Sequence, residues 1–380
     1  MALTKHIKTS GLTILISTSL LNVACSDKTA EKAYVSPLPF CDLTTPDSKL
    51  DTSNIQLTRE QNIPLMYQGY NNIEGPVWHD GALYYSNMGT LPADENTPEL
   101  SNQTTIWRWQ PGSNPEVWMT DKHSGTNGLA LDSKGNLIGA RQLDGSISKI
   151  SWKDKSITPI TTQYQGKRFN SPNDLVLSQD DRIYFTDPNW NTPSNIDLTT
   201  TQISNGGLEG QDIYHVAQDG TVAATNITDL VPELHDKPNG ITLSLDEKQI
   251  IVGGLKGLWA FDIDQQTASN PQQLLDTPID GLGKDCTGNI YITTTRNKPH
   301  RADAQFVVVL DKNYREIAEI EVDGIHIVTN VAFGGEDRRT LFVTSLTALM
   351  DGDKVRMCGD KPCLEAGIYT AQLNVQGFAY

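Results

Sequence analysis

Ser171 to Pro188 reads SPNDLVLSQDDRIYFTDP. It opens on a proline-constrained turn that carries Asn173 and Asp174. The apolar run Leu175-Val176-Leu177 follows, then a polar turn over Ser178 to Asp181, then Ile183-Tyr184-Phe185, and it closes on Thr186-Asp187-Pro188. Two short β-branched and aromatic runs around a polar turn predict a β-hairpin. Five other segments share the plan of a polar residue, an apolar run, a turn and a second apolar run. They begin at Glu74, Asn127, Asn239, Asp280 and Asn330, so with Asn173 the leading residues lie 53, 46, 66, 41 and 50 apart. That is the period of a propeller blade of about four strands. Six units predict an all-β, six-bladed β-propeller. Further strand-like runs complete the blades: Ile106 to Trp109 with Val117 to Met119, Asp212 to Val216 with Thr221 to Ala223, and Phe306 to Leu310 with Ile317 to Val322. Gly367 to Thr370 ends the last blade, and Pro64 to Gly69 is expected to close the ring by pairing with it. The long interval before the fourth unit holds Asn189 to Gly210, read as an insertion loop.

Composition agrees with one large β domain. Seven Trp, eight Phe and twelve Tyr can fill a core, and thirty Gly with nineteen Pro imply many turns. A net charge of −16 argues against nucleic acid, which needs clustered Lys and Arg. Residues 1–24 read as a signal peptide, with Lys5 and Lys8 before the short apolar run Leu12 to Leu21. That run is too short for a membrane span. The ending Val23-Ala24-Cys25 resembles a lipoprotein signal, which implies a lipid on Cys25 and a place at the outer membrane or in the periplasm; ordinary cleavage is the alternative. Residues 25–55 are polar and read as a tether, and 56–380 as the propeller domain. Export permits disulfides. Cys358 and Cys363 bracket a turn-rich tetrad and are expected to pair locally. Cys286 reads as a small buried residue or as the partner of Cys41.

In a propeller the innermost strand of each blade starts beside the central channel. Glu74, Asn127, Asn173, Asn239, Asp280 and Asn330 occupy that position, and all offer oxygen. Oxygen-only donors of low total charge suit a hard cation, Ca²⁺ above all, although Mg²⁺, Mn²⁺ or Zn²⁺ can use the same atoms. Each residue alone reads equally as a strand-end turn former; six at equivalent positions point to a central metal site.

The strings EGPVW, TNGLALDSKG, KRFNSPNDLVLSQDDRIYFTDP, KPNGITLSLDEK, DGLGKDCTGNIY and TNVAFGGEDRRTLFVTS resemble the senescence marker protein/gluconolactonase/luciferin-regenerating enzyme family, bacterial gluconolactonase-like branch. The resemblance runs from about residue 65 to 375. It implies a propeller with a divalent metal in its channel and metal-dependent hydrolysis of a sugar or other small lactone. It makes Glu74, Asn239 and Asp280 metal ligands and Asn173 a metal contact, direct or through water, with Asn127 a substrate or outer contact and Asn330 a weaker member of the ring. Asp280 is ligand, and either base as well or ligand only. Ser171 stands where the animal branch carries Arg, so that residue's substrate role does not transfer. The alternatives are a non-catalytic ligand- or protein-binding propeller with structural Ca²⁺, or a phosphotriesterase-like hydrolase. Among other residues, Asp187 reads as a turn former and Trp78 and Trp190 as core or pocket walls. His300 and His326 read as loop residues on the channel rim. No G-x-S-x-G elbow is present, which argues against a serine esterase.

Overall fold

In the computed structural model, the described residues are 41, 49–53, 55–63, 73–87, 103–122, 125–190, 210–299, 301–322, 327–352, 354–358 and 361–378. The expected signal segment and Cys25 fall outside them, as do His123, His300, His326 and 191–209 of the insertion. Six four-stranded antiparallel sheets form six blades. From the inner strand outward, the first is Ile73–His79, Ala82–Asn87, Gln103–Trp109 and Glu116–Lys122. The second is Thr126–Leu131, Leu137–Arg141, Ser146–Ile150 and Ile157–Thr161. The third holds the opening hairpin: Leu175–Leu177, Ile183–Asp187, Asp212–Val216 and Val222–Ala224. The fourth runs Pro238–Leu243, Gln249–Gly254, Gly257–Asp264 and Thr267–Leu275, and the fifth Ile279–Lys284, Ile290–Lys298, Arg301–Leu310 and Glu316–Glu321.

The sixth blade closes the ring. Its inner strands are Ile327–Gly334, Thr340–Ala348 and Leu364–Gln372, and its outermost strand is Thr58–Ile63 from the start of the domain. Gly367 pairs with Asn62 and Thr370 with Thr58. The expectation that residues 64–69 would pair there is therefore corrected. TREQNI has no apolar pattern because an outermost strand faces solvent along one edge, and hydrogen bonding rather than burial fixes it.

The core is divided among the blade junctions. Leu129 and Leu131 pack on the first blade with Val77 and Tyr84, while Ala130 between them packs on the third with Leu175 and Phe185. Likewise Val176 turns to Ile241 and Val252 of the fourth blade, and Leu175 and Leu177 turn back to the second. Successive strand residues point to opposite faces, and here both faces meet a neighbouring blade. This explains why the inner strands read as unbroken apolar runs rather than alternating ones.

The expected tether is partly fastened to the domain. Leu50 is buried in the junction of the fifth and sixth blades, and the Asp51 N–H donates to Asn374 Oδ1 at 2.8 Å. Cys41 forms a disulfide with Cys286, 245 residues away, and the pair packs against Phe378. Cys286 is therefore bonded rather than a free buried thiol. Cys363 is also disulfide-bonded. The Cys358 side chain lies outside the described residues, so their pairing stays an expectation.

Candidate active site

The six leading residues converge. Asn127 Nδ2 donates to Asn173 Oδ1 at 2.5 Å, Asn239 Nδ2 to Asp280 Oδ1 at 2.8 Å, and Asn330 Nδ2 to Glu74 Oε2 at 3.5 Å. Each contact crosses from one blade to the next. Residues from all six blades thus line one end of the channel. Glu74, Asn127, Asn173 and Asn330 are buried, whereas Asn239 and Asp280 keep partial access to solvent.

A local irregularity aims them inward. Five inner strands slip register at this point, between Glu74 and Val77, Thr126 and Leu129, Pro238 and Ile241, Ile279 and Leu282, and Val328 and Val331. A bulge releases a residue from the ladder and redirects its side chain. In four blades glycine follows the ring residue, because the next blade's ring residue lies against it. A Cβ on Gly75 would meet Asn127 O at 2.3 Å, and one on Gly240 would meet Asp280 O at 2.4 Å. A Cβ on Gly128 would meet Asn173 O at 2.7 Å, and one on Gly281 would meet Asn330 Oδ1 at 2.2 Å.

The third blade breaks this pattern, with Asp174 where the other four have glycine. Its carboxylate accepts the Leu175 N–H at 2.9 Å, and also the Ile241 N–H and the Asn330 side chain. Asp174 is thus a third channel carboxylate, one that the sequence pattern alone does not assign to the ring. The available signal was its place in the string: position for position it aligns with Gly75, Gly128, Gly240 and Gly281. It was obscured because adjacent residues of a regular strand point apart. The strand begins only at Leu175, so Asn173 and Asp174 are free of that alternation.

Three carboxylates now share a confined space. Burial pushes Asp174 up to about 7. Glu74 is raised well above the ordinary carboxylate range by burial, then by Asp280 and Asp174. Asp280 rises through burial and Asp174, against the stabilising Asn239 contact. Their donors are carboxamides and backbone N–H groups. Among the described residues, no three of His, Cys, Asp and Glu stand close enough to chelate a metal by themselves. The carboxylates act on one another across the ring, and the carboxamides fill the gaps between them.

Surrounding residues position this ring. Asp187 accepts the N–H groups of Asn170 at 2.8 Å and Ser171 at 2.9 Å, which fixes the loop leading to Asn173. Burial raises it to about 8. Thr186 Oγ1 donates to Asn239 O at 2.9 Å and joins the third blade to the fourth. Trp78 stacks on Phe342 with ring centroids 5.3 Å apart and belongs to the core. Trp190 is 40% exposed. Of the described histidines, His79 stacks on Trp152, His215 packs beside Tyr184, and His235 contacts Gln211 O; none of these contacts reaches the ring.

Comparison with known proteins agrees with this architecture. Residues 73–347 match the model of the SMP-30/Gluconolactonase/LRE-like region. A gluconolactonase of Zymomonas mobilis subsp. mobilis is 27% identical over 238 residues, which cover 57% of this chain and 63% of that one. The matched part is thus less than two thirds of that relative's length. A gluconolactonase structure from Xanthomonas campestris superposes with a TM-score of 0.59 at 20% identity, covering 85% of this chain and 91% of the other. A calcium-binding protein, regucalcin, from Agrobacterium tumefaciens gives 0.53 at 15% identity, over 85% and 96%. At such identities the structural likeness speaks for the fold alone.

Proposed function

The chain belongs to the SMP-30/gluconolactonase/LRE-like family, and from that premise we propose that it is a lactone hydrolase working with a divalent cation, Ca²⁺ in the first instance. One observation carries the reading. Glu74, Asp174 and Asp280 act on one another across the channel end, and the donors on their carboxylates are neutral carboxamides and backbone N–H groups. Buried like charges without a counterion are unstable, and each either takes up a proton or needs a cation. Carboxylate and carboxamide oxygens are the donor set of a hard cation. Glu74, Asn173, Asn239 and Asp280 would hold it, with Asp174 close by. When bound, the cation would polarise the lactone carbonyl and acidify water.

The chain's own groups supply the rest. Asp280 is partly open to solvent and already accepts a hydrogen bond from Asn239. That contact orients one oxygen and leaves the other for the proton of the attacking water. Its raised affinity for protons brings it toward the range in which a carboxylate serves as a general base near neutrality. Asn127 uses one N–H on Asn173, and the second can donate to an oxygen of the lactone ring. The buried wall formed by Glu74 and Asp174 keeps bulk water from the far side of the site.

Chelator treatment followed by add-back of single cations tests this reading. Lactone hydrolysis should vanish and return with one cation. If stripping lowered thermal stability while lactone hydrolysis had never been measurable, the propeller would be a binding protein with a structural ion. We also propose export with lipid on Cys25; absence of label after growth on radioactive palmitate would refute the anchor.

A further inference from the structure

The mouth of the channel between the third and fourth blades carries a cation on an exposed indole. Trp190 follows the second strand of the third blade, and its backbone N–H donates to Ser171 Oγ at 3.0 Å. Ser171 lies two residues before Asn173. Lys237 lies two residues before Asn239, so both groups stand at the ring end of the channel. The Lys237 ammonium is 4.6 Å from the centroid of the Trp190 ring and donates to Asn189 O at 2.9 Å and to Asn189 Oδ1. The Gln211 side chain ties the two blades together here. Its Oε1 accepts the backbone N–H of Asn189 at 2.9 Å and the backbone N–H of Lys237 at 3.3 Å. The ammonium is therefore held from below by an indole and from the side by one residue. Lysine has three N–H donors, and two are engaged. Trp190 retains 40% exposure and Lys237 is half-buried.

A fixed cation with a spare donor is unexpected on a chain of net charge −16. That charge disfavours the approach of any anion. A neutral substrate would not need the ammonium, and a cationic one would be repelled by it. We propose that Lys237, held by Trp190, is a specificity-determining arm that selects lactones bearing an anionic substituent on the ring. The ester would face Asp280, and the substituent would meet the free N–H of Lys237. The proposal rests on the lactonase reading and adds the class of substrate.

The test compares γ-butyrolactone with γ-carboxy-γ-butyrolactone, which differ only in a carboxylate. The wild type should favour the acid lactone in kcat/KM by about tenfold, the scale of one charge-assisted hydrogen bond. The ratio should approach one in Lys237→Gln, recover in Lys237→Arg, and fall about threefold in Trp190→Ala through loss of the cation–π contact. It should also decline with added salt. A wild-type ratio near one, or a preference that survives Lys237→Gln, overturns the arm and leaves the lactonase reading intact. Should the wild type open neither lactone, that reading fails, and binding of tetrahydrofuran-2-carboxylate followed by tryptophan fluorescence decides the arm separately. Binding weakened about tenfold by Lys237→Gln sustains it, and no binding refutes it.

Discussion

One inner strand, Ile279–Lys284, carries an ionisable side chain of opposite charge near each end, and only the Lys284 end is fully buried. Asp280 opens on the channel among two other carboxylates and a set of carboxamides. Lys284 is 1% exposed; its Nζ donates to Leu243 O at 2.9 Å and lies 3.9 Å from the centroid of the Phe378 ring. Burial lowers it to about 7. The chain seals that end with its own C-terminal segment. Phe378 N donates to Lys284 O at 3.0 Å, Cys286 N to Gln376 O at 2.8 Å, and the Cys41–Cys286 disulfide packs beside them. A single cation that has a carbonyl, an aromatic face and a tight cover is a structural element. Three carboxylates acting on one another, with neutral partners and one of them partly exposed, make this end the candidate functional one.

The largest expected effect follows from removing one carboxylate at the open end. Asp280→Asn should lower kcat/KM for lactone hydrolysis by about 10²–10³, the range seen for loss of a general base or a key electrostatic group. The same change should raise the melting temperature of the metal-free protein, because it relieves repulsion from Glu74 and Asp174. A variant as active as the wild type would end the catalytic assignment. At the sealed end the disulfide closes a loop of 245 residues. Replacing both Cys41 and Cys286 by Ser should lower stability by about 2–4 kcal/mol in denaturant titrations while leaving turnover at room temperature close to normal. Loss of activity in the folded double mutant would show that the two ends are coupled.

Cation binding provides the next test. At a free concentration one hundred times its Kd, Ca²⁺ should stabilise the stripped wild type by about 2.7 kcal/mol, and should stabilise Glu74→Gln much less. Equal shifts in both would place the ion elsewhere. The smallest effect concerns Lys284. Its folded affinity for protons is depressed, so the unfolded chain binds more protons between about pH 7 and the ordinary lysine range. Stability from this group therefore rises with pH across that window and is lost as pH falls through about 7. The raised Asp174 acts in the opposite sense, its contribution disappearing as pH rises through about 7. The difference in melting temperature between wild type and Lys284→Met should shift in favour of the wild type from pH 7 to pH 10. A constant difference would mean that Lys284 remains charged in the fold.

Much of the architecture was legible because propeller blades are built from local hairpins. Leu175-Val176-Leu177 and Ile183-Tyr184-Phe185 are adjacent in the chain, and their apolar character records burial on both faces. The repeat interval then set the number of blades, and the six leading oxygen-bearing residues marked the ring. Thr58–Ile63 was not legible, since an outer strand held by pairing with Leu364–Gln372 leaves no apolar signature. Nor was the fastening of Cys41 to Cys286, because any of several pairings satisfies the same cysteines.

Sequence alone determined the blade count, the inner strands and the residue type at each channel position, all properties of short stretches repeated along the chain. Tertiary structure decided which of those residues meet. Asp174 joined the site because the third blade lacks the glycine found in four others and so points a carboxylate at the fourth. Trp190 and Lys237 became neighbours because Gln211 draws two blades together. Asp280 and Lys284 differ in role although four positions apart, because one end of the strand faces the polar ring and the other is covered by residues 376–378. Solvation, like-charge repulsion and cover depend on groups far apart in sequence, and only the closed ring brings them to one place.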